Sequence, residues 1–311
     1  MKKMLVRCDM NTEEIISRVI KKNLGIIALE VSHAGKGASG SVYCVKCDGE
    51  PYMLAVKISP HEELMLKEYE MLTFLRENTE SKIPKTYFLD KINDVSILAM
   101  EFVEGISGND KSILLRLGRK HLAESIIDNL LVIQKAHNDK FGPYDDAKYD
   151  TWQDYYKEFS DEIYNFCLMK HSQGELDDIV MRAVETSYRN FDKIFAQEIN
   201  PATLIHGDYW MPNFIINKKS MELKAVVDPF NVMWADPEYE LFGLTVGNGK
   251  QLRLYEMYKS KVKVSRMCDL KVELYALYSE LLWYKKLGTI SHDYLRQRSR
   301  KLIKQMDKHI I

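Results

Sequence analysis

The sequence predicts an α+β protein in two parts, a sheet-rich front over residues 1–104 and a larger, mainly helical back over residues 105–311. Three observations predict it. Short apolar runs with period two alternate with glycine-containing turns through the front. A single well-patterned helix interrupts those runs. From about Ser112 onward the pattern is helical and long, broken only around residues 203–230. The stretch "AMEFVEG" at 99–105 is the expected hinge.

Taken in order, "NTEEIISRVIKKNLG" reads as a helix, with Asn11 or Thr12 as N-cap, acidic residues in its first turn and Gly25 at its end. "IIALEVSHA", "SVYCVKC" and "YMLAVKI" then read as three strands. "PHEELMLKEYEMLTFLREN" reads as a helix with Pro60 near its first turn. "KTYFLD" and "VSILAMEFV" supply two more strands, so the front is an antiparallel sheet with one key helix. In the back, "FIIN" and "KAVVD" bracket "KKSMEL" like a small hairpin.

Composition narrows the function class. The chain has 46% hydrophobic and 29% charged residues, ordinary for a globular protein. With 44 Lys and Arg against 45 Asp and Glu, the net charge of −1 gives no general pull toward nucleic acid or an acidic membrane. The start, "MKKMLVRCDMNTEEII", lacks a continuous apolar core, and nothing approaches the roughly 18 apolar residues of a membrane span. The five cysteines, at 8, 44, 47, 167 and 268, are scattered. A reduced, cytoplasmic protein is expected, with no membrane, nucleic-acid or obligate protein partner. Cys44 and Cys47 form a C-x-x-C, but on a strand residues three apart point to opposite faces, which favours packing over metal binding.

Four features carry chemistry. "GKGASGSV" places Gly35, Gly37, Gly40 and Val42 in G-x-G-x-x-G-x-V. A dinucleotide fingerprint would need a helix next, whereas the alternating "SVYCVKC" is a strand. That leaves a flexible turn or a loop whose backbone approaches phosphates. Lys57, in "LAVKI", shares a face with Ala55, and an inward lysine needs a partner unless it snorkels to water. Glu68 lies near the middle of the apolar arc made by Leu64, Leu72 and Leu75, so a cation is expected beside it, and Lys57 is the natural one. Finally, "HGDYWMPN" brings Asp208 and Asn213 into one loop, and Asp228 ends the strand that pairs back on "FIIN". Oxygen ligands of this kind suit a hard cation such as Mg²⁺, and a free carboxylate beside it could take a hydroxyl proton. His206 could brace the loop. Each of these residues alone could simply cap a turn. Asp236, Glu238 and Glu240 add acidity that either binds a cationic amine, caps a helix or is solvated.

Together these residues resemble the bilobal protein-kinase-like fold, in its aminoglycoside phosphotransferase and small-molecule kinase branch. The resemblance implies that Gly35, Gly37 and Gly40 form the nucleotide loop, that Lys57 holds the ATP phosphates with Glu68 as its ion-pair partner, and that Val42, Ala55 and the backbone of Glu101, Phe102 and Val103 surround adenine. It makes Asp208 the catalytic base, His206 part of its loop, and Asn213 and Asp228 the Mg²⁺ ligands, with Asp228-Pro229-Phe230 where the family's protein kinases carry D-F-G. "WADPEYELF" is similar to the segment that follows in this branch, and the absence of A-P-E and of a long activation segment argues against a protein substrate. Trp210, "DPEYEL", "LRLYEMYK", the "FG" at 141–142 and Trp152 are similar to fructosamine kinases, which act on glycated amines. The expected activity is ATP-dependent transfer of the γ-phosphate to a hydroxyl of a small molecule such as an aminoglycoside or amino-sugar. The alternatives are phosphorylation of glycated amines and a non-catalytic nucleotide-binding regulator.

Overall fold

The computed structural model describes residues 11–37, 40–288 and 290–310. Residues 1–10, with Cys8, and the Ala38-Ser39 tip of the glycine turn lie outside the described residues.

Helix α1 (Thr12–Leu24) starts where the Asn11 backbone N–H donates to Glu14 and stops at Gly25, whose φ of 73° is open to glycine at little cost. Strands β1 (Ala28–Lys36), β2 (Ser41–Cys47) and β3 (Met53–Ser59) follow, then α2 (Glu62–Asn78), β4 (Thr86–Ile92) and β5 (Val95–Glu101). The five strands form one antiparallel sheet in the order β1-β2-β3-β5-β4. Period-two patterning gives it two different faces. Leu54 and Val56 of β3 and Ile97 and Ala99 of β5 pack with Ile16, Val19 and Ile20 of α1. Leu98 and Met100 turn the other way, to Met65, Leu72 and Leu75 of α2. Lys57 and Ala55 share this second face. Pro60 lies just before the first turn of α2, which begins at Glu62 after His61. Cys44 and Cys47 are free thiols on one strand, as are Cys167 and Cys268 elsewhere.

The back opens with β6 (Ile106–Ser107), α3 (Arg119–Ile133), β7 (His137–Asn138), β8 (Gly142–Pro143), α4 (Trp152–Ser172), α5 (Asp178–Arg189) and α6 (Phe191–Ile194). Next come β9 (Ala202–Ile205), β10 (Phe214–Asn217), β11 (Glu222–Val226) and β12 (Met233–Ala235). A 3-10 segment (Pro237–Thr245), α7 (Gly247–Gln251), α8 (Leu254–Lys261), α9 (Cys268–Leu287) and α10 (His292–His309) complete it. β10 and β11 form the expected hairpin, Phe214 opposite Val226, with β6 on its free edge. A second small sheet, β7-β9-β12-β8, has strands of two to four residues, too short to show a period in sequence. These two sheets hold the ends of the polar loop between β9 and β10. Trp152, Tyr156 and Tyr275 centre an aromatic core, with Trp152 stacked on Tyr156 at 5.2 Å. Among the described residues no helix is long and apolar enough to cross a membrane.

Candidate active site

β9 is buried along its length and runs directly into His206. Gly207 then turns with φ +80°, and a Cβ there would stand 1.9 Å from the Phe230 carbonyl oxygen and 2.6 Å from that of Asn231. Only glycine lets the 206–213 loop lie against the 228–232 loop this closely. From behind, the buried Glu240 carboxylate accepts three backbone N–H groups of the loop, from His206 at 2.5 Å, Gly207 at 3.2 Å and Tyr209 at 3.1 Å. Tyr209 is buried and donates its hydroxyl to the Ile126 carbonyl of α3 at 2.7 Å. The loop is thus pinned on its inner side, leaving Asp208 and Trp210 on its outer side.

Asp208 Oδ2 accepts the Asn213 amide at 2.7 Å and the Trp210 indole N–H at 3.2 Å. Both bonds fall on one oxygen, so Oδ1 is the carboxylate oxygen without an internal donor among the described residues. The Asn213 amide also reaches the Asp228 carbonyl at 3.3 Å, which ties the two loops together. Burial raises the Asp208 carboxyl to about 7; the Asp228 charge adds to this, while the Asn213 and Trp210 donors oppose it. Asp228 itself adopts a left-handed backbone, φ 53°, unusual for a residue with a side chain.

Across the cavity, Lys57 is 3% exposed and Glu68 6%. The ammonium meets both Glu68 oxygens, at 2.7 and 2.9 Å, and Asp228 Oδ1 at 2.7 Å. Burial works against the Lys57 charge, but the two carboxylates outweigh it and hold the ammonium above the usual lysine range. For Asp228, burial is likewise outweighed, here by Lys57, and its carboxyl lies below the usual range. Glu68 is therefore the paired carboxylate that its place in the apolar arc demands.

These groups line one cavity of about 690 Å³ between the front and the back. Its walls include Lys36 and Gly37 of the glycine turn, Lys57, Glu68, Asp208, Asn213 and Asp228. The structure brings together the loop, the lysine pair and the 228 carboxylate, which stand 171 residues apart at the extreme. Gly40 sits at the root of the turn, where a Cβ would be 2.4 Å from the Ile58 carbonyl oxygen, whereas a Cβ at Gly35 would meet open space and one at Gly37 only the Gly40 carbonyl oxygen at 3.9 Å. Val42 pairs with Lys57 across the sheet, and Ala55 with Met100. Val42, Ala55, Gly35, Gly40, Glu101, Phe102 and Val103 are not among the walls of this cavity. Neither is His206: it is fully buried, held neutral with its pKa lowered to about 3 by that burial, and packed edge-on against Tyr209. Its place is inside the loop's support, away from the cavity.

Asp236, Glu238 and Glu240 are neither solvated nor in the cavity. Asp236 caps the 3-10 segment through the Glu238 N–H at 3.0 Å, and Lys271 of α9 neutralises Asp236 and Glu238 at 2.6 Å each. Glu240 is the support of the loop. Phe230 of the 228–230 triplet lines the cavity too, as do Tyr144, Asp145, Trp283 and Lys286, which no motif marks. Trp210 lines the cavity and is exposed.

The donor set can do one kind of chemistry well. It offers a carboxylate that can accept a proton, two oxygen-bearing side chains suited to a hard cation, and a fixed ammonium for anionic oxygens. Among the described residues no cluster of three His, Cys, Asp or Glu side chains could hold a metal, so a cation bound by Asn213 and Asp228 would depend on oxygens from its substrate.

A family model for fructosamine kinase matches residues 10–308. A candidate ketoamine kinase of Staphylococcus aureus is 22% identical over 280 residues, covering 85% of this chain and 90% of that protein. The structure is similar to that of a candidate fructosamine-3-kinase from Thermobifida fusca, with a TM-score of 0.68, 20% identity, and coverage of 93% of this chain and 98% of the other. It is equally similar to a thermostable mutant of the aminoglycoside phosphotransferase APH(4)-Ia in a ternary complex with AMP-PNP and hygromycin B, with a TM-score of 0.68, 16% identity, and coverage of 93% and 98%. The bilobal α+β kinase-like fold is therefore the fold of this chain.

Proposed function

The chain belongs to the fructosamine kinase family and is a small-molecule kinase, and on that premise we propose that it transfers the γ-phosphate of ATP to a sugar hydroxyl of a glycated amine. The observation that supports this reading most is the convergence of Asp208, Asn213, Asp228 and the Lys57–Glu68 pair on one cavity. The lobes are taken as residues 1–104 for the nucleotide and 105–311 for catalysis and acceptor binding.

In this reading the turn of Gly35, Gly37 and Gly40 lies over the phosphates, with Val42, Ala55 and the backbone of 101–103 around adenine. Lys57 is oriented by Glu68 and gives its ammonium to the phosphate oxygens. Asn213 and Asp228 would hold Mg²⁺, which supplies neutralisation of the charge on the transferring group. Asp208 Oδ1 accepts the hydroxyl proton of the acceptor while Oδ2 stays fixed by Asn213 and Trp210. Glu240, through three backbone N–H groups, keeps the loop where that oxygen can reach.

The test is ATP turnover, with mass-spectrometric detection of products, on glycated lysine, aminoglycosides, choline and homoserine. Phosphate on glycated lysine is expected. Phosphate on an aminoglycoside with none on glycated lysine would contradict the acceptor assignment.

A further inference from the structure

The cavity holds a cation with no work assigned to it. Lys286 sits on the last turn of α9, and its ammonium lies 5.0 Å from the centre of the Phe230 ring. Phe230 in turn stacks on Trp283, centroids 4.3 Å apart and planes 18° from parallel. Among the described residues no carboxylate pairs with Lys286. Partial enclosure, with Lys285 and Lys67 nearby, holds its ammonium below the usual lysine range, as expected of a positive charge without an anion.

Most of the other charges of the cavity are already engaged. Lys57 is held by Glu68 and Asp228, and Lys67 by Asp145 at 3.0 Å. Lys36 adjoins Gly37 in the glycine turn, on the opposite lobe. On the acidic side, Asp236 and Glu238 are neutralised by Lys271, and Glu240 is occupied by the loop. So the end of the cavity near Phe230 and Trp283 offers aromatic faces and a free cation, and its one spare carboxylate is the base. A polycationic amino-sugar meets repulsion there. An acceptor carrying a carboxylate meets a partner, against flat rings that suit a sugar or an alkyl chain.

We infer that Lys286 is a specificity-determining residue that binds a carboxylate of the acceptor, so that the preferred substrate is a glycated amino acid with its carboxylate free. This rests on the reading of the cavity as a glycated-amine kinase site. A phosphate of the nucleotide is the other anion that Lys286 could meet, and the test separates the two.

Steady-state constants are measured for the unaltered chain, Lys286→Met and Lys286→Arg, with three variables: ATP, glycated lysine, and glycated cadaverine, which is the same acceptor without the carboxylate. The unaltered chain is expected to favour glycated lysine. Lys286→Met should raise KM for glycated lysine about 10- to 100-fold, the scale of a charge-assisted hydrogen bond. It should leave kcat, KM for ATP and KM for glycated cadaverine within about twofold, and Lys286→Arg should restore most of the preference. Equal changes on both acceptors, no change on either, or a rise confined to KM for ATP would each overturn the inference while leaving the kinase reading intact. Failure of the unaltered chain to phosphorylate either acceptor would overturn the reading itself and the inference with it. Because Lys286 makes no ion pair or hydrogen bond among the described residues, the variants should melt with the unaltered chain, and that comparison guards against a folding artefact.

Discussion

Replacing Glu240 by glutamine removes one charge and no volume, and it tests whether the 206–213 loop is held from behind. Oε2 accepts the His206 and Gly207 N–H groups and Oε1 accepts that of Tyr209. Glutamine keeps one acceptor and turns the other into a donor. In its better orientation it satisfies His206 and Gly207 and sets its NH₂ against the Tyr209 N–H. One buried backbone donor then lacks an acceptor, at about 1–3 kcal/mol. Glu240→Ala strands all three, roughly 3–9 kcal/mol if none finds water. At about 2–4 °C per kcal/mol, Glu240→Gln should lower the melting temperature by roughly 2–12 °C, and Glu240→Ala by more. Part of the cost is relieved if the loop shifts, and a shift of order 1 Å at Asp208 lowers kcat about 100-fold. KM for ATP should hold, because Lys57 and the glycine turn do not touch Glu240. The assay is differential scanning fluorimetry beside steady-state kinetics. Glu240→Gln with unchanged melting temperature and kcat would refute the reasoning.

Three further outcomes are expected. Because the Asp208 carboxyl is raised to about 7 and must be deprotonated to accept the hydroxyl proton, kcat/KM should climb with pH and level off above about 7; a profile flat from pH 5.5 to 8 would exclude that role. Gly207→Ala puts a methyl 1.9 Å from the Phe230 carbonyl at φ +80°, so both loops must part, and activity should be lost together with several degrees of melting temperature, read by the same two assays. Lys57→Met leaves the Glu68 carboxylate buried without its cation, at a cost of about 3–5 kcal/mol in a denaturant melt, and adding Glu68→Gln should recover much of that stability and none of the activity.

The front half was legible because its strands and helix each bury one face, which leaves a period in the sequence. Glu68 stood out as a charge within an apolar arc, and Lys57 as the nearest inward cation. The loop was legible through its dense polar spacing. The acidic run 236–240 stayed open between capping, solvation and amine binding because its burial is tertiary: the 3-10 segment has no apolar stripe, and the neutralising Lys271 lies 35 residues from Asp236. Lys286 and Trp283 were invisible for a related reason. α9 is buried around most of its circumference, so no single face is marked as lining a site.

The most direct test of the central claim is phosphate transfer by Asp208→Asn on glycated lysine, with nucleotide binding measured in parallel by calorimetry. The variant should bind ATP with Mg²⁺ about as tightly as the unaltered chain and transfer phosphate about 10²–10⁴-fold more slowly. Transfer within a few-fold of the unaltered rate would contradict the assignment of Asp208 as the base and the account built on it.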